Sequence, residues 1–254
     1  MRKDGEREIH MSGRSLSSAS TRRVLSRLAV GFVGSYFATG VGVAVAADAG
    51  HPVVVELFES QGCSSCPPAN ANLNALSDRA DVLALNFAIT YWDSLGWKDT
   101  FAKSQFTDRQ WQYAHAMHQD NVYTPQVVVN GRIEGVGAEQ GEIEALIRQA
   151  ERTGGPVIAM KNGSAEIGAS RAPAEGADVW LVRYDPNLIA VSVLRGENAG
   201  RTLPHKNIVR ELVRLGGWNG EAERFSLPAG DPALSTAILV QTSGAGPILA
   251  AARG

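Results

Sequence analysis

The chain is 254 residues long, with 24 Lys/Arg against 26 Asp/Glu and a formal net charge of −2. That balance gives no positive footprint for a phosphate backbone, which argues against nucleic acid as a partner. The only cysteines are Cys63 and Cys66, and a lone C-x-x-C pair after an apolar run points to joint use of the two thiols.

Residues 1–20 are polar and Ser-rich, without apolar periodicity. Thr21–Arg27 is basic, Leu28–Val45 is apolar, Gly-rich and uncharged, and Ala44-Val45-Ala46 has the small-x-small form of a cleavage site. The order basic, apolar, small is that of an export signal. Residues 1–46 are therefore expected to be removed after Ala46, leaving a periplasmic or secreted protein with no membrane attachment. The alternative is a membrane anchor, since about 18 uncharged residues just span a bilayer. Arg22-Arg23 also fits a twin-arginine route, but arginine pairs are common in ordinary leaders, and the general secretory route is expected. Met11 is a second candidate start. Losing residues 1–46 removes seven Lys/Arg and three Asp/Glu, which leaves 208 residues at a net charge of −6. Such a mildly acidic chain suits a soluble protein of one large domain or two ordinary ones.

Val53–Phe58 is a short, nearly continuous apolar run, as expected of a strand buried on both faces. A polar turn, 59–62, delivers Cys63. Pro67-Pro68 suits only the first turn of a helix, so a helix starts close to Cys66, with Ala69, Leu73 and Leu76 on one face. Asp81–Ile89 is a second strand, and a strand–helix–strand unit of this length implies a parallel pair. The stretch 91–121 is aromatic-rich and reads as a helical insertion, with a helix over Thr100–Gln119. Val122–Val129 is a strand that turns at Asn130-Gly131 into a returning strand, and Ala138–Ala150 is an amphipathic helix.

Gly154-Gly155-Pro156 breaks the pattern. Beyond it, strands are expected at 157–160, 164–168, 178–184, 188–194, 207–215 and 233–241, separated by turns such as Asn162-Gly163 and Asp185-Pro186-Asn187. Short strands with almost no helix pattern suggest a mostly antiparallel, sandwich-like β domain over residues 154–254. Leu194–Arg201 is polar and Gly-rich and reads as a loop.

The reactive species of a thiol is the thiolate, and a helix N-terminus favours it through its unpaired N–H groups. Cys63 is expected at the exposed mouth of the helix as nucleophile, and Cys66, about a turn inside, as the shielded resolving thiol. With this motif and Thr124-Pro125-Gln-Val-Val-Val-Asn-Gly in place, residues 53–150 resemble a thioredoxin-like domain. The resemblance implies that Pro125 is cis and packs beside the disulfide, with Thr124 facing the active site and its backbone positioned to pair with a bound peptide. Thioredoxins also carry a buried acid in the first of these strands. Glu56 is the candidate here, one position farther from the first cysteine than is usual; a carboxylate paired at the sheet end is the alternative. Glu59 is expected to be solvated. Gly62 replaces the usual aromatic residue before the motif, and Ser64-Ser65 replace Gly-Pro within it. Through Glu-Leu-Phe-x-Ser-Gln-Gly-Cys-x-x-Cys-Pro-Pro, the mature chain also resembles a bacterial secreted family of unknown function with a thioredoxin-like domain followed by a C-terminal β domain.

The fold expected is therefore an α/β thioredoxin-like domain over residues 47–153, a mixed sheet flanked by helices, followed by the β domain. The function expected is an exported thiol–disulfide oxidoreductase acting on protein or peptide thiols, with an unidentified redox partner and no dissociable cofactor. Its site residues are Cys63, Cys66, Thr124, Pro125 and Glu56. A static structural bridge is disfavoured because so short a loop gains little closure entropy. Two alternatives stand beside it: a non-catalytic binding protein with an inert disulfide, and a periplasmic copper or zinc handler using the thiolates with His115 and His118. Trp92, Trp97 and Trp111 either line a groove or belong to the core.

Overall fold

The computed structural model describes residues 51–139, 141–150 and 154–254. The expected export signal and its cleavage site lie outside the described residues.

Strands β1 (Val53–Glu59) and β2 (Val82–Ala88) are buried along their whole length. Strands without a polar face need a central position covered on both sides. They pair in parallel, from Val53 opposite Val82 to Glu59 opposite Ala88. Helix α1 (Cys66–Leu76) makes the crossover, and its first-turn prolines fix where it begins. Helix α2 (Ser104–Ala116) follows β2. Strand β3 (Gln126–Val129) runs antiparallel along the other side of β1. It turns into β4 (Ile133–Gly135) through Asn130 and Gly131, at φ 49° and 62°. Two consecutive positive φ angles are what a tight hairpin turn of this hand demands, and Asn-Gly meets that demand. Helix α3 (Glu142–Gln149) closes this half.

The two-residue period of a strand sorts the side chains of β1. Val53, Val55 and Leu57 pack with Ala69, Leu73 and Leu76 of α1 and Ile143 of α3. Val54 and Phe58 pack on the opposite face with Phe106 and Tyr113 of α2.

The rest of the chain is β5 (Ile158–Lys161), β6 (Ser164–Ile167), β7 (Ala177–Asp185), β8 (Ile189–Ser192), β9 (Thr202–His205), β10 (Ile208–Trp218), β11 (Glu223–Ser226), β12 (Ser235–Thr242) and β13 (Ile248–Arg253). Short strands β9 and β11 and the final strand β13 are additional to those expected. Pairing within this half is antiparallel. Four of these strands extend the first sheet to the order β13-β12-β7-β10-β2-β1-β3-β4. The join is a parallel contact of Ile208 with Asn86. The sheet thus runs on past Gly154, and the described residues fall in one compact unit. Strands β5, β6 and β11 form a second layer, in which Ala165, Ile167 and Phe225 pack on Val179, Leu181, Ile238 and Val240.

The protein is a mixed α/β structure with one large mixed sheet and smaller antiparallel layers. Among the described residues no helix is long and apolar enough to cross a membrane.

The β8–β9 hairpin leaves the main sheet and docks on α1. Asn70 Nδ2 and Asn74 Nδ2 both donate to Pro204 O at 2.9 Å, and Asn74 Oδ1 accepts from Lys206 N at 3.1 Å. Asn72 Nδ2 reaches the carbonyls of Gly137 and Ala138 on another side. Asparagine is a poor choice for a helix interior because it competes for the backbone. Three of them in α1 are explained by the carbonyls they tether.

Candidate redox site

Cys63 and Cys66 form a disulfide with their Cα atoms 5.4 Å apart. The turn that presents them is closed by Cys63 N donating to Ser60 O and Gly62 N to Ser60 Oγ, and Cys66 N donates to Cys63 O at 3.2 Å. Cys66 is the first residue of α1, not a turn inside it as the sequence suggests. The Thr124–Pro125 peptide is cis. Ser65 Oγ links the pair to this segment, 3.3 Å from Cys63 Sγ and 3.5 Å from Thr124 O, the outer limit of a hydrogen bond. Trp92 Nε1 donates to Thr124 Oγ1 at 2.8 Å, and Trp97 Nε1 to Gln61 Oε1 at 2.9 Å. Two of the three candidate groove tryptophans therefore brace the site. Trp111 instead packs its ring on His115.

The expected exposure of Cys63 is not found. Cys63 is 0% and Cys66 2% exposed, although Ser64 and Ser65 between them are open to solvent. The turn is bonded to a segment 135 residues away. The loop between β8 and β9 lies over the turn, and Asn198 Nδ2 donates to Gln61 O at 2.9 Å and Cys63 O at 2.8 Å. Glu197 Oε2 accepts from Ser64 N at 3.1 Å and Ser64 Oγ at 2.6 Å. These bonds hold the Glu197 carboxyl below its usual pKa, the Ser64 hydroxyl contributing most.

The acids also differ from expectation. Glu56 belongs to the α2 face of β1, away from the helix that carries the cysteines. Arg109 Nε donates to its Oε1 at 2.8 Å and Tyr113 to its Oε2, while Gln241 of β12 completes the group. Burial alone would lower the Arg109 pKa, and the Glu56 carboxylate reverses that to a net rise. Glu56 is thus a fully paired sheet carboxylate. Glu59, three residues on and pointing the other way, is 1% exposed where solvation was expected. Its Oε1 lies 3.2 Å from His205 Nδ1, and that same nitrogen lies 3.0 Å from Asn70 Nδ2. A neutral imidazole accepts from Asn70 there; a protonated one donates to Glu59. Asn70 Oδ1 accepts from Asn86 Nδ2 at 3.0 Å. Asp99 accepts from Gln61 N at 2.7 Å and Phe101 N at 2.8 Å. Burial, then the nearby Glu59 charge, push Asp99 up to about 6. Burial opposes charge on His205, but Glu59 and Asp99 outweigh it and raise its pKa.

The metal alternative gains no support from the geometry. Among the described residues no group of three or more His, Cys, Asp or Glu is gathered where it could hold an ion. His115 lies in the last turn of α2 and His118 beyond it, at φ 56°.

Glu59, Asp99, His205, Glu197 and Asn198 are the site residues that sequence reasoning missed. The asparagines of α1 were the available signal for the first group, since polar residues against helix propensity imply a docked neighbour. Nothing local distinguishes Asn198.

A buried strand that leads into a C-x-x-C disulfide at a helix start, within a large mixed sheet, defines the class of α/β protein to which this chain corresponds. The chain belongs to the protein family of unknown function DUF1223, whose profile matches residues 54–241. Among solved structures it is similar to protein AGR_C_4864 from Agrobacterium tumefaciens. The two are 29% identical, the match covers 83% of this chain and 95% of that one, and the TM-score is 0.63. HBP35 of Porphyromonas gingivalis is 14% identical with a TM-score of 0.51 over 80% of this chain and 74% of that one, a likeness of fold alone. Comparison with curated proteins gives no match.

Proposed function

We propose that the protein is an exported thiol–disulfide oxidoreductase with a thioredoxin-like N-terminal half, acting on protein or peptide thiols through Cys63 and Cys66. One observation carries this reading: the disulfide opens α1 directly after the buried strand β1, with Thr124-Pro125 alongside. At that position the positive end of the α1 dipole favours a thiolate, while Pro67 and Pro68 have no N–H to offer and Cys66 N is bonded to Cys63 O. In the oxidising direction a substrate thiolate attacks Cys63 Sγ, the S–S bond breaks, and Cys66 leaves as a thiolate. A second substrate thiolate then attacks the substrate sulfur of the mixed disulfide and releases Cys63, so two electrons pass from substrate to protein. The reducing direction is the reverse, with Cys63 attacking and Cys66 resolving. Thr124 positions the substrate backbone.

A Cys66→Ser variant expressed with its signal should accumulate mixed disulfides through Cys63. Recovery of none, together with a bridge that does not equilibrate with peptide dithiols, would remove the proposal. The burial of both cysteines favours a second reading, an inert bridge in a binding protein, and the same equilibration measurement separates the two.

A further inference from the structure

The loop over the disulfide is built differently from the hairpin that carries it. It is closed on itself by Val193 N to Arg201 O at 2.9 Å, Gly200 N to Val193 O at 2.8 Å and Arg201 N to Asn198 O at 3.0 Å. Between those ends only Asn198 is buried; residues 194–197, 199 and 200 are exposed, Leu194 to 74%. Arg201 Nη1 donates to Asn198 Oδ1 at 2.7 Å, which fixes the amide so that its nitrogen faces Gln61 O and Cys63 O. Gly196, at φ 75°, lets the loop come close to the segment of Leu95 and Trp97. The loop is therefore bonded to the turn that carries the cysteines while burying only Val193 and Asn198 of its own. Segments with so few buried contacts open locally at low free energy.

We propose that residues 193–201 are a lid latched by Asn198 and Glu197, and that the partner able to open it is a polypeptide rather than a small thiol. Opening removes the Asn198 donor from the carbonyls of Gln61 and Cys63, the latter keeping only Cys66 N, and the Glu197 acceptor from Ser64 N–H. Groups stripped of partners in this way are costly. An extended polypeptide carries N–H and C=O groups in alternation and can replace both kinds of bond as its cysteine approaches Cys63. A small thiol without amide groups, such as 3-mercaptopropionate, has no N–H to offer those carbonyls. The lid thus sets which thiols the bridge meets; this rests on the redox reading for its substrate, but not for its physics.

The test uses the full mature chain. The rate at which the Cys63–Cys66 bridge is reduced by dithiothreitol is read by alkylating the freed thiols and weighing the protein. Asn198→Ala removes two hydrogen bonds to the turn and should speed reduction by roughly 10- to 100-fold. Glu197→Gln, on an exposed side chain with no folding role, should speed it about 2- to 5-fold. Rates within twofold of wild type in both variants overturn the lid, and Glu197→Gln alone decides the matter if Asn198→Ala does not fold. A second arm compares an unstructured peptide with one cysteine against 3-mercaptopropionate, a thiol without amide groups. Wild type should prefer the peptide by about 10-fold, and the preference should collapse once Asn198 is removed. An equal ratio in both proteins overturns the polypeptide assignment. Acceleration without any turnover of peptide disulfides keeps the lid and removes the oxidoreductase; turnover without acceleration does the opposite.

Discussion

Glu56 and Glu59 lie three residues apart on one strand, both are buried, and the odd spacing sends them to opposite faces of the sheet. On the α2 face, Glu56 meets the Arg109 guanidinium and the Tyr113 phenol, which Gln241 ties together, and Arg109 lies over the rings of Tyr113 and Trp180 as well. On the α1 face, Glu59 meets His205, whose pKa it helps to raise, and lies near Asp99, whose pKa is pushed up to about 6. Among the described residues Asn86 Oδ1 and His205 Nε2 have no hydrogen-bond partner there, and Glu59 Oε1 has only the ion-pair contact with His205. One face uses a buried acid to lock two halves of the chain together. The other keeps a set of titratable groups beneath the turn that holds the disulfide.

The largest effect should come from breaking the locked face. Arg109→Met leaves a buried carboxylate without its counter-charge, a change that costs about 3–5 kcal/mol in such settings. Adding Glu56→Gln removes the stranded charge, so the double variant should regain much of the loss. Urea unfolding measures both. A loss below about 1 kcal/mol in the single variant would mean that the pair is not held in a low-dielectric site.

The titratable face predicts a pH dependence of definite sign. Asp99 holds its proton up to about 6 in the folded protein against 3.8 in the open chain, so the native state binds more protons between those values. Its contribution is present at low pH and is lost as pH rises through that window. His205 has a raised pKa, so the stabilisation from its charge is complete below 6.5 and fades as pH climbs through the higher folded value. Both slopes run the same way, and a shift of this size at Asp99 amounts to at most about 3 kcal/mol. Stability relative to Asp99→Asn should therefore fall between about pH 4 and 7. A difference that rises instead would show that Glu59 and Asp99 are not close in the folded protein.

Much of the first half was legible because its signals are local. Apolar runs without a polar face gave β1 and β2, Pro67-Pro68 gave the start of α1, and Asn130-Gly131 gave the hairpin. What escaped depends on distant partners. Glu59 reads as solvated beside a polar turn, and the strand period alone does not say that Asp99 and His205 will cover it. β9 (Thr202-Leu-Pro-His205) and β11 (Glu223-Arg-Phe-Ser226) each carry a single large apolar side chain among polar residues or proline, so neither reads as an apolar run. The continuation of the sheet through β10 rests on a contact with Asn86, a polar residue in an apolar strand. The exposure of Cys63 was misjudged because the loop over it comes from the other half of the chain.

The smallest effect separates local from global stability on the α1 face. Asn74 bonds Pro204 O and Lys206 N, and its replacement by Ala removes both bonds. Alanine is the better helix former, which offsets part of that loss. The net destabilisation should be about 1 kcal/mol or less. Its effect should be local: backbone amides of the β8–β9 pairing, such as those between Val191 and Leu203, should exchange faster, while those between β1 and β2 stay unchanged. Because the hairpin carries Asn198, looser docking should also quicken reduction of the bridge, by less than Asn198→Ala does. Equal exchange in the hairpin of both proteins would mean that the asparagine tethers do not hold it, and that the loop over Cys63 keeps its place through the Asn198 and Glu197 contacts alone.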